Sequence, residues 1–270
     1  MRRLALALPL ALVLAGSACA PIRNYTDYAG PRYAGGPASA SSPHAVRLVT
    51  FNIRFAREIA GALELLRANP QLKDADVIAL QEMDSAGVER IAGALGLAYV
   101  YYPAAARADG KDFGNAVLVR GTILEDHKLL LPHPGRFGGM RRIAVGVTAE
   151  VAGRRLRIYS THLGTPKDVS AAGRREQVTA ILRDAQGADV PVLVAGDFNN
   201  RDGVARAFQE AGFRWATREV GRTIALFSWD HVFLRGVPAT ASWRSGAADS
   251  RGASDHRAVW VEVPLAAGGP

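Results

Sequence analysis

A single cysteine, Cys19, in 270 residues has no partner for an intramolecular disulfide and cannot supply a Cys-rich zinc module, so packing must hold the fold together. Lysine is scarce too: only Lys73, Lys111, Lys128 and Lys167 among the 33 basic residues, the rest being arginine. Glycine (28) and proline (14) are too few for a low-complexity chain; 49% hydrophobic and 21% charged residues describe a globular protein with one substantial core. Several catalytic signatures are missing. Gly110-Lys111 is followed by Asp112 where a P-loop needs Ser or Thr, and there is no HExxH, GxSxG or strand-coupled GxGxxG. Nucleotide-triphosphatase, zincin and serine-hydrolase readings thereby lose their main support. Acids are the minority charge: 25 Asp and Glu against 33 Lys and Arg give +8. That balance favours a polyanionic partner such as nucleic acid, phosphate or an anionic membrane.

What is present begins with a leader. Arg2 and Arg3 precede an apolar run from Leu4 to Ala15, followed by Gly16, Ser17 and Ala18: the layout of a secretory signal. The run is too short to span a bilayer. Cys19 follows as in bacterial lipoprotein signals, where the cysteine is lipidated and becomes the mature N-terminus, although Gly16 stands where such signals usually carry Leu. Residues 1–19 therefore read as a secretory or lipoprotein-type signal, with cleavage after Ala18 as the alternative to a membrane tether through Cys19. The expected destination is the periplasm or the cell exterior. Residues 20–44, with Pro21, Pro31, Pro37 and Pro43 among Gly, Ala and Ser and no apolar periodicity, read as a flexible tether. Removing residues 1–18 takes away two arginines and leaves 31 basic against 25 acidic residues, or +6.

From Val46 onward, β-rich runs alternate with helical patterns. Val46 to Phe51, Val77 to Leu80, Leu97 to Tyr101 and Ala116 to Val119 read as strands, with helices through Ile59 to Leu66 and Val88 to Leu95. Ile143 to Val151 and Leu156 to Ser160 flank the hairpin signal Ala152-Gly153-Arg154-Arg155. A long helix from Val169 to Ala185 precedes the apolar run Val190 to Ala195, which suits a strand buried on both faces. A helix near Val204 to Ala211 and strands at Asp230 to Leu234, Ala239 to Trp243 and Ala258 to Val263 complete the pattern. Hairpins mixed with crossovers imply an α/β fold of two packed sheets with helices outside, one monomeric domain over residues 45–265, about 220 residues.

Polar residues stand just beyond these strands, where a core has no use for them. Asn52 closes Thr50-Phe51-Asn52-Ile53-Arg54, Glu82 closes Leu80-Gln81-Glu82, and His162 follows Ser160-Thr161. Asp197 and Asn199 lie in Gly196-Asp197-Phe198-Asn199, Asp230 starts a strand, and Asp255-His256 precede the last one. Any one of them could close a turn or sit satisfied in the interior. As a set they converge on one rim, which marks a site. Glu82, Asp197, Asp255, Asn52 and Asn199 offer hard oxygens, which suit Mg2+ or Mn2+ better than zinc. His162 and His256 can hold phosphate oxygens, and Asp230 can fix a histidine tautomer. Such a set suits attack of water on a phosphoester.

In this order, the motifs Thr50 to Arg54, Leu80 to Glu82, Ser160-Thr161-His162-Leu163, Gly196 to Asn199 and Ser254-Asp255-His256 resemble those of the endonuclease/exonuclease/phosphatase superfamily over roughly residues 46–263. The resemblance implies a four-layer α/β sandwich, two packed mixed sheets flanked by helices. It implies Glu82 as principal metal ligand supported by Asn52 and Asp255, Asp197 orienting or deprotonating water, and Asn199 stabilising the transition state. It also implies that His162, and His256 oriented by Asp230, contact the scissile phosphate; whether Asp197 or His256 is the base stays open. Phe113-Gly114-Asn115-Ala116 resembles a further family segment, which makes Asn115 a candidate substrate contact. Arg54 stands where apurinic endonucleases carry an acid, which disfavours that subfamily, and His231 reads as a bystander.

Three arginine doublets stand out. Arg174-Arg175 fit a solvated helix face and Arg154-Arg155 a hairpin, whereas Arg141-Arg142 border the glycine-rich stretch Gly135 to Gly139, making Arg141 a candidate phosphate contact. The expected activity is hydrolysis of a phosphodiester in nucleic acid or a lipid headgroup. Alternatives are a phosphomonoesterase acting on a phosphorylated small molecule and an anchored binding protein without turnover.

Overall fold

The computed structural model describes residues 22–39 and 45–264; the leader, with Cys19, lies outside them. In chain order the strands are β1 (Arg23–Asn24), β2 (Tyr33–Gly35), β3 (Ala45–Asn52), β4 (Val77–Met83), β5 (Ala98–Ala106), β6 (Asp112–Val119) and β7 (Gly121–Leu130). They continue with β8 (Ile143–Val151), β9 (Arg154–His162), β10 (Val192–Asp197), β11 (Arg214–Trp215), β12 (Asp230–Arg235), β13 (Arg244–Ala248) and β14 (Ala258–Pro264). The α-helices are α1 (Ile59–Ala68), α2 (Ser85–Leu95), α3 (Ala171–Gln186) and α4 (Asp202–Glu210). None of the described helices is long and apolar enough to cross a membrane.

One sheet runs β1-β5-β6-β4-β3-β14-β13, with β2 also on β5, and the other runs β11-β12-β10-β9-β8-β7. Their inner faces meet through Leu48, Val117, Val145, Ile158, Leu193 and Val261. The outer face of the first sheet packs on α1 and α2 through Leu65, Leu66, Val88 and Ile91, and that of the second on α3 and α4 through Val178, Ile181, Val204 and Phe208. The four-layer sandwich expected from the motifs is therefore present. Strand β10 shows why its sequence is apolar throughout: Leu193 and Ala195 face the inter-sheet core while Val192 and Val194 face the helices.

Parallel pairing positions the site. β3 runs parallel to β4 with Asn52 opposite Gln81, and β9 runs parallel to β10 with His162 opposite Asp197. Antiparallel β12 begins beside the end of β10, with Asp230 opposite Asp197. Ends of neighbouring parallel strands share one rim, so the polar residues after these strands are neighbours by topology. Gly196 permits the closest approach: a Cβ there would lie 1.9 Å from the Thr161 carbonyl oxygen.

Two expectations need correction, and one strand has no counterpart in the sequence pattern. Residues 239–243 form a turn and coil after Pro238, and the strand starts only at Arg244. The edge strand β7 carries charges and a register shift between Ile123 and Glu125, which hide its alternation. The larger correction concerns the expected flexible tether, residues 20–44. Within it β1 and β2 pair with β5, covering that strand's free edge. Arg32 grips Asp126 with two hydrogen bonds of 2.7 and 2.6 Å. Lys128, buried, donates Nζ to the carbonyls of Tyr25 and Gly30 at 3.2 and 2.5 Å. No periodicity announces this packing because side-chain anchors and edge pairing supply the contacts, with no amphipathic face.

Replacing Lys128 by Met removes the donor from both carbonyls. Destabilisation by about 1–3 kcal/mol is expected, with amide exchange accelerated in residues 22–35 and unchanged in β3 and β10. Hydrogen-exchange mass spectrometry measures both, and equal acceleration everywhere would refute this local clamp.

Candidate active site

Asn52, His162, Asp197 and Asp230 are placed by regular strand pairing, Glu82 and Asn199 by departures from it. Glu82 has φ 58° within β4, where the register against β6 shifts between Leu80 and Met83. Left-handed backbone in a non-glycine residue carries strain, and its clustering at a site is a mark of function. Asn199, φ 48°, follows β10 in a conformation that asparagine tolerates well, and its backbone N–H donates to Asp197 Oδ1 at 2.9 Å. Ser254 ties β3 to the final strand: its hydroxyl donates to the Asn52 carbonyl at 2.6 Å and accepts from His256 N–H at 3.1 Å. Thr223 Oγ1 accepts from the backbone N–H groups of Trp229 and Asp230, fixing the entry to β12.

Asp197 is the centre of the arrangement. Its Oδ2 accepts from Asn52 Nδ2 at 3.2 Å and lies 3.3 Å from His162 Nε2 and 3.7 Å from His256 Nε2. His256 Nδ1 meets Asp230 Oδ1 and Oδ2 at 3.1 and 2.9 Å. Because Asp230 only accepts, that bond fixes Nδ1 as the protonated nitrogen and turns Nε2 toward Asp197. His162 is protonated on Nε2 alone. Arg142 Nη1 lies 3.0 Å from His162 Nδ1, and a guanidinium only donates, so Nδ1 accepts and Nε2–H points at Asp197.

Burial and charge then set the protonation states. Burial raises Asp197 to about 7, with Asp230 and Glu82 pushing the same way and His256 opposing them. Burial opposes the charge on His256, but Asp230, Asp197 and Asp255 outweigh it and hold the imidazolium up to about 10. Burial, assisted by the charges on Arg142 and His256, drives His162 well below the ordinary imidazole value, so it stays neutral. Burial raises Glu82 as well, against the pull of Arg142, an Asn52 hydrogen bond and His256.

A cleft of about 310 Å3 opens beside these groups, lined by Glu82 and Arg142 together with Ile22, Phe55, Phe113 and Phe137. Glu82 accepts from Phe55 N–H at 3.1 Å and faces His162 Nδ1 at 3.8 Å. A part-buried carboxylate whose ionisation is opposed by burial and that opens on a cleft fits a hard divalent cation. Asp197, Asp230 and His256 also bring one ligand atom each within 4.8 Å of one another. An ion there would have to displace the His256–Asp230 hydrogen bond, so the Glu82–Asn52 side suits a cation better.

The structure brings Asn52, Glu82, His162, Asp197, Asn199, Asp230 and His256 together, with Asp255 at the edge. Asp255 is half-exposed and pairs with Arg54 Nε at 3.4 Å, while the Arg54 backbone N–H donates to Asn52 Oδ1. Asn115 differs from its expected role: it is buried and donates Nδ2 to the Ile143 carbonyl at 2.9 Å, tying one sheet to the other. Arg141 also gives way to its neighbour. Its backbone N–H bonds Asn24, and the buried cleft-lining guanidinium is that of Arg142. The doublet was visible in sequence, but only strand phase decides which member faces inward. His231 is the bystander expected, buried against Trp215 with Nε2 on the Asn200 carbonyl; burial lowers it to about 4.

A buried acid flanked by one cationic and one neutral histidine, beside a cation-suited carboxylate, on paired strand ends of a four-layer sandwich, defines a phosphoesterase-type site. The sequence profile of the Endonuclease/Exonuclease/phosphatase family matches residues 49–256, and the chain belongs to that family of metal-dependent phosphoester hydrolases. Among solved structures, the human Nocturnin catalytic domain with bound sulfate superposes with TM-score 0.66 at 18% identity, covering 86% of this chain and 96% of that one. D. rerio TDP2 complexed with single strand DNA product gives 0.65 at 17%, covering 81% and 98%. The endonuclease/exonuclease/phosphatase from Beutenbergia cavernae gives 0.64 at 22%, covering 82% and 72%. At these identities the likeness is one of fold. Comparison with curated proteins finds no match.

The His256–Asp230 pair sets a pH dependence. His256 is raised from 6.5 to about 10, so its contribution to stability is complete below pH 6.5 and is lost as pH rises through 10. In Asp230→Asn the largest part of that contribution is lost, Asp197 and Asp255 supplying the rest. Urea denaturation in chelator should show the native protein ahead of the variant below pH 6.5 and the gap narrowing toward pH 10; a gap that widens would contradict the assignment.

Proposed function

We propose that the chain is an exported phosphodiesterase dependent on Mg2+ or Mn2+, hydrolysing diesters of nucleic acid or lipid headgroups by in-line attack of water. The observation that carries this reading is Asp197, raised to about 7 and within reach of Asn52, His162 and His256. A base with a value near the working pH combines the right protonation state with real basicity. His256, at about 10, is already protonated at neutral pH and serves as a cationic donor, which leaves Asp197 as the base.

Asp197 orients the attacking water and takes its proton. His256, held by Asp230, presents Nε2–H to a phosphoryl oxygen, and neutral His162 keeps its Nε2–H on the same centre. Asn199 is held by its own donation to the Leu163 carbonyl at 3.0 Å, so it acts by supporting the Asp197 loop. Arg142 adds positive charge on the Glu82 side of the cleft. Glu82 and Asn52 would hold the cation, which supplies Lewis-acid stabilisation of the phosphoryl charge when bound.

Hydrolysis of bis(p-nitrophenyl) phosphate by the full chain should need a divalent cation and stop with chelator. Asp197→Ala should lower kcat by about 100-fold or more, the usual scale for a general base, and Glu82→Gln should raise the cation concentration needed for half-maximal rate. Turnover indifferent to chelation, or unchanged in Asp197→Ala, overturns the proposal; preference for a monoester would reassign the substrate.

A further inference from the structure

The N-terminal segment is a wall of the catalytic cleft. Ile22 lines it together with Phe55, Phe137, Glu82 and Arg142. Asn24 locks the segment to the glycine-rich loop in both directions, donating Nδ2 to the Gly139 carbonyl at 2.9 Å and accepting from Arg141 N–H at 2.8 Å. Tyr25 N–H donates to the Ala104 carbonyl at 2.9 Å, and Lys128 holds the Tyr25 carbonyl. Cys19 is three residues from Ile22. At full extension three residues span about 10 Å, whereas a free 25-residue tether would let the domain wander about 25–30 Å. A lipid on Cys19, the attachment expected from the sequence, would therefore hold the cleft mouth at the membrane as well.

The mouth has the chemistry of a bilayer interface. Phe137, which lines the cleft, is 68% exposed. The hairpin whose Ile224 bridges His256 exposes Leu226 and Phe227, the latter stacked on Trp229 at 4.7 Å. Arg57 and Arg107 stand over the Phe55 ring at 5.4 and 4.7 Å. Exposed large apolar groups rimmed by arginine suit the headgroup region of an anionic membrane. A groove for nucleic acid has use for the arginines but not for an exposed leucine.

We propose that residues 22–25 dock the catalytic cleft against the bilayer that holds the N-terminus, and that the substrate is a phospholipid drawn from that surface. This rests on the phosphodiesterase reading above. Asp197 lies across His162 from Arg142 and Phe113 of the cleft, so water attacking from the Asp197 side sends the acylated leaving group toward Ile22 and Phe137. The water oxygen bonds to phosphorus and yields a proton to Asp197. The bond from phosphorus to the glycerol oxygen breaks, that oxygen takes a proton from solvent at the cleft mouth, and Asp197 returns its proton to solvent, giving diacylglycerol and a phosphorylated headgroup.

The test uses the full chain with its leader, produced in a bacterial host and reconstituted into vesicles of phosphatidylglycerol and phosphatidylcholine. A flexible insertion of about 20 Gly and Ser residues between Ala20 and Pro21 lengthens the tether and leaves the cleft intact. Diacylglycerol release from the host vesicle should fall about tenfold or more with the lost effective concentration, while hydrolysis of bis(p-nitrophenyl) phosphate stays unchanged. Phe137→Asp should lower vesicle hydrolysis as well. Equal lipid hydrolysis with and without the insertion overturns the docking, as does cleavage of soluble diester or single-stranded DNA with no diacylglycerol released. Loss of turnover on every substrate in the unmodified protein overturns the phosphodiesterase reading itself.

Discussion

A carboxylate buried at the seam between two sheets governs this molecule. Asp197 ends a strand of one sheet and accepts its hydrogen bond from Asn52 at the end of a strand in the other. Removing an acid from water opposes its charge, and the fold meets that cost with amide, imidazole and backbone donors from four different segments. Directly beneath, a second polar bridge joins the sheets: Thr50 donates to Gln81 at 3.3 Å, Gln81 donates to Ser160 at 3.1 Å, and Ser160 donates to the Leu80 carbonyl at 3.0 Å. Apolar faces alone could slide against one another. These buried bonds hold the two parallel strand pairs in one mutual position, and the spacing of the site follows from it.

The same arrangement explains why two chemically identical histidines do different work. Both are buried beside Asp197, so burial alone would make both neutral. The partner behind each ring decides otherwise. Asp230 leaves His256 cationic with its outer nitrogen toward Asp197; Arg142 leaves His162 neutral with a proton on the nitrogen facing the same oxygen. A single acid thus faces one charged and one neutral imidazole, an arrangement that tells a proton acceptor from a phosphate donor.

Much of this was legible in the sequence, for a reason that also marks its limits. Strands announce themselves by apolar runs, and a polar residue just past such a run is conspicuous; Asn52, Glu82, His162 and Asp197 stand out that way, and Asp230 at a strand start. Asn115, singled out only by the resemblance of Phe113 to Ala116, lies inside β6 and bonds the Ile143 carbonyl, because a buried strand amide can serve the sheet seam as readily as the cleft. Arg141 and Arg142 are indistinguishable by composition, and only the phase of the incoming chain puts the second one inside. The segment before residue 40 shows neither strand nor helix periodicity. Its order comes from Arg32 on Asp126 and Lys128 on two carbonyls, contacts roughly a hundred residues away in the chain that local pattern cannot carry.

That segment also solves a problem of the fold. Strand β5 has β6 on one side and would otherwise present an open row of backbone donors and acceptors on the other, an invitation to pair with another chain. Arg23 and Asn24 take up its end at Ala105 and Ala106, and Tyr33 to Gly35 take up its middle at Tyr99 to Tyr101. Covering an edge requires residues 22–35 to run along the sheet, and this sheet's edge ends beside the catalytic rim, where β5 and β6 carry Ala106 and Asp112 next to the Phe113 of the cleft. The chain therefore cannot protect β5 in this way without bringing Ile22 to the mouth of the site. Edge protection and the placement of Ile22 are consequences of one pairing, so a change that frees β1 from β5 acts on stability and on access to the cleft together.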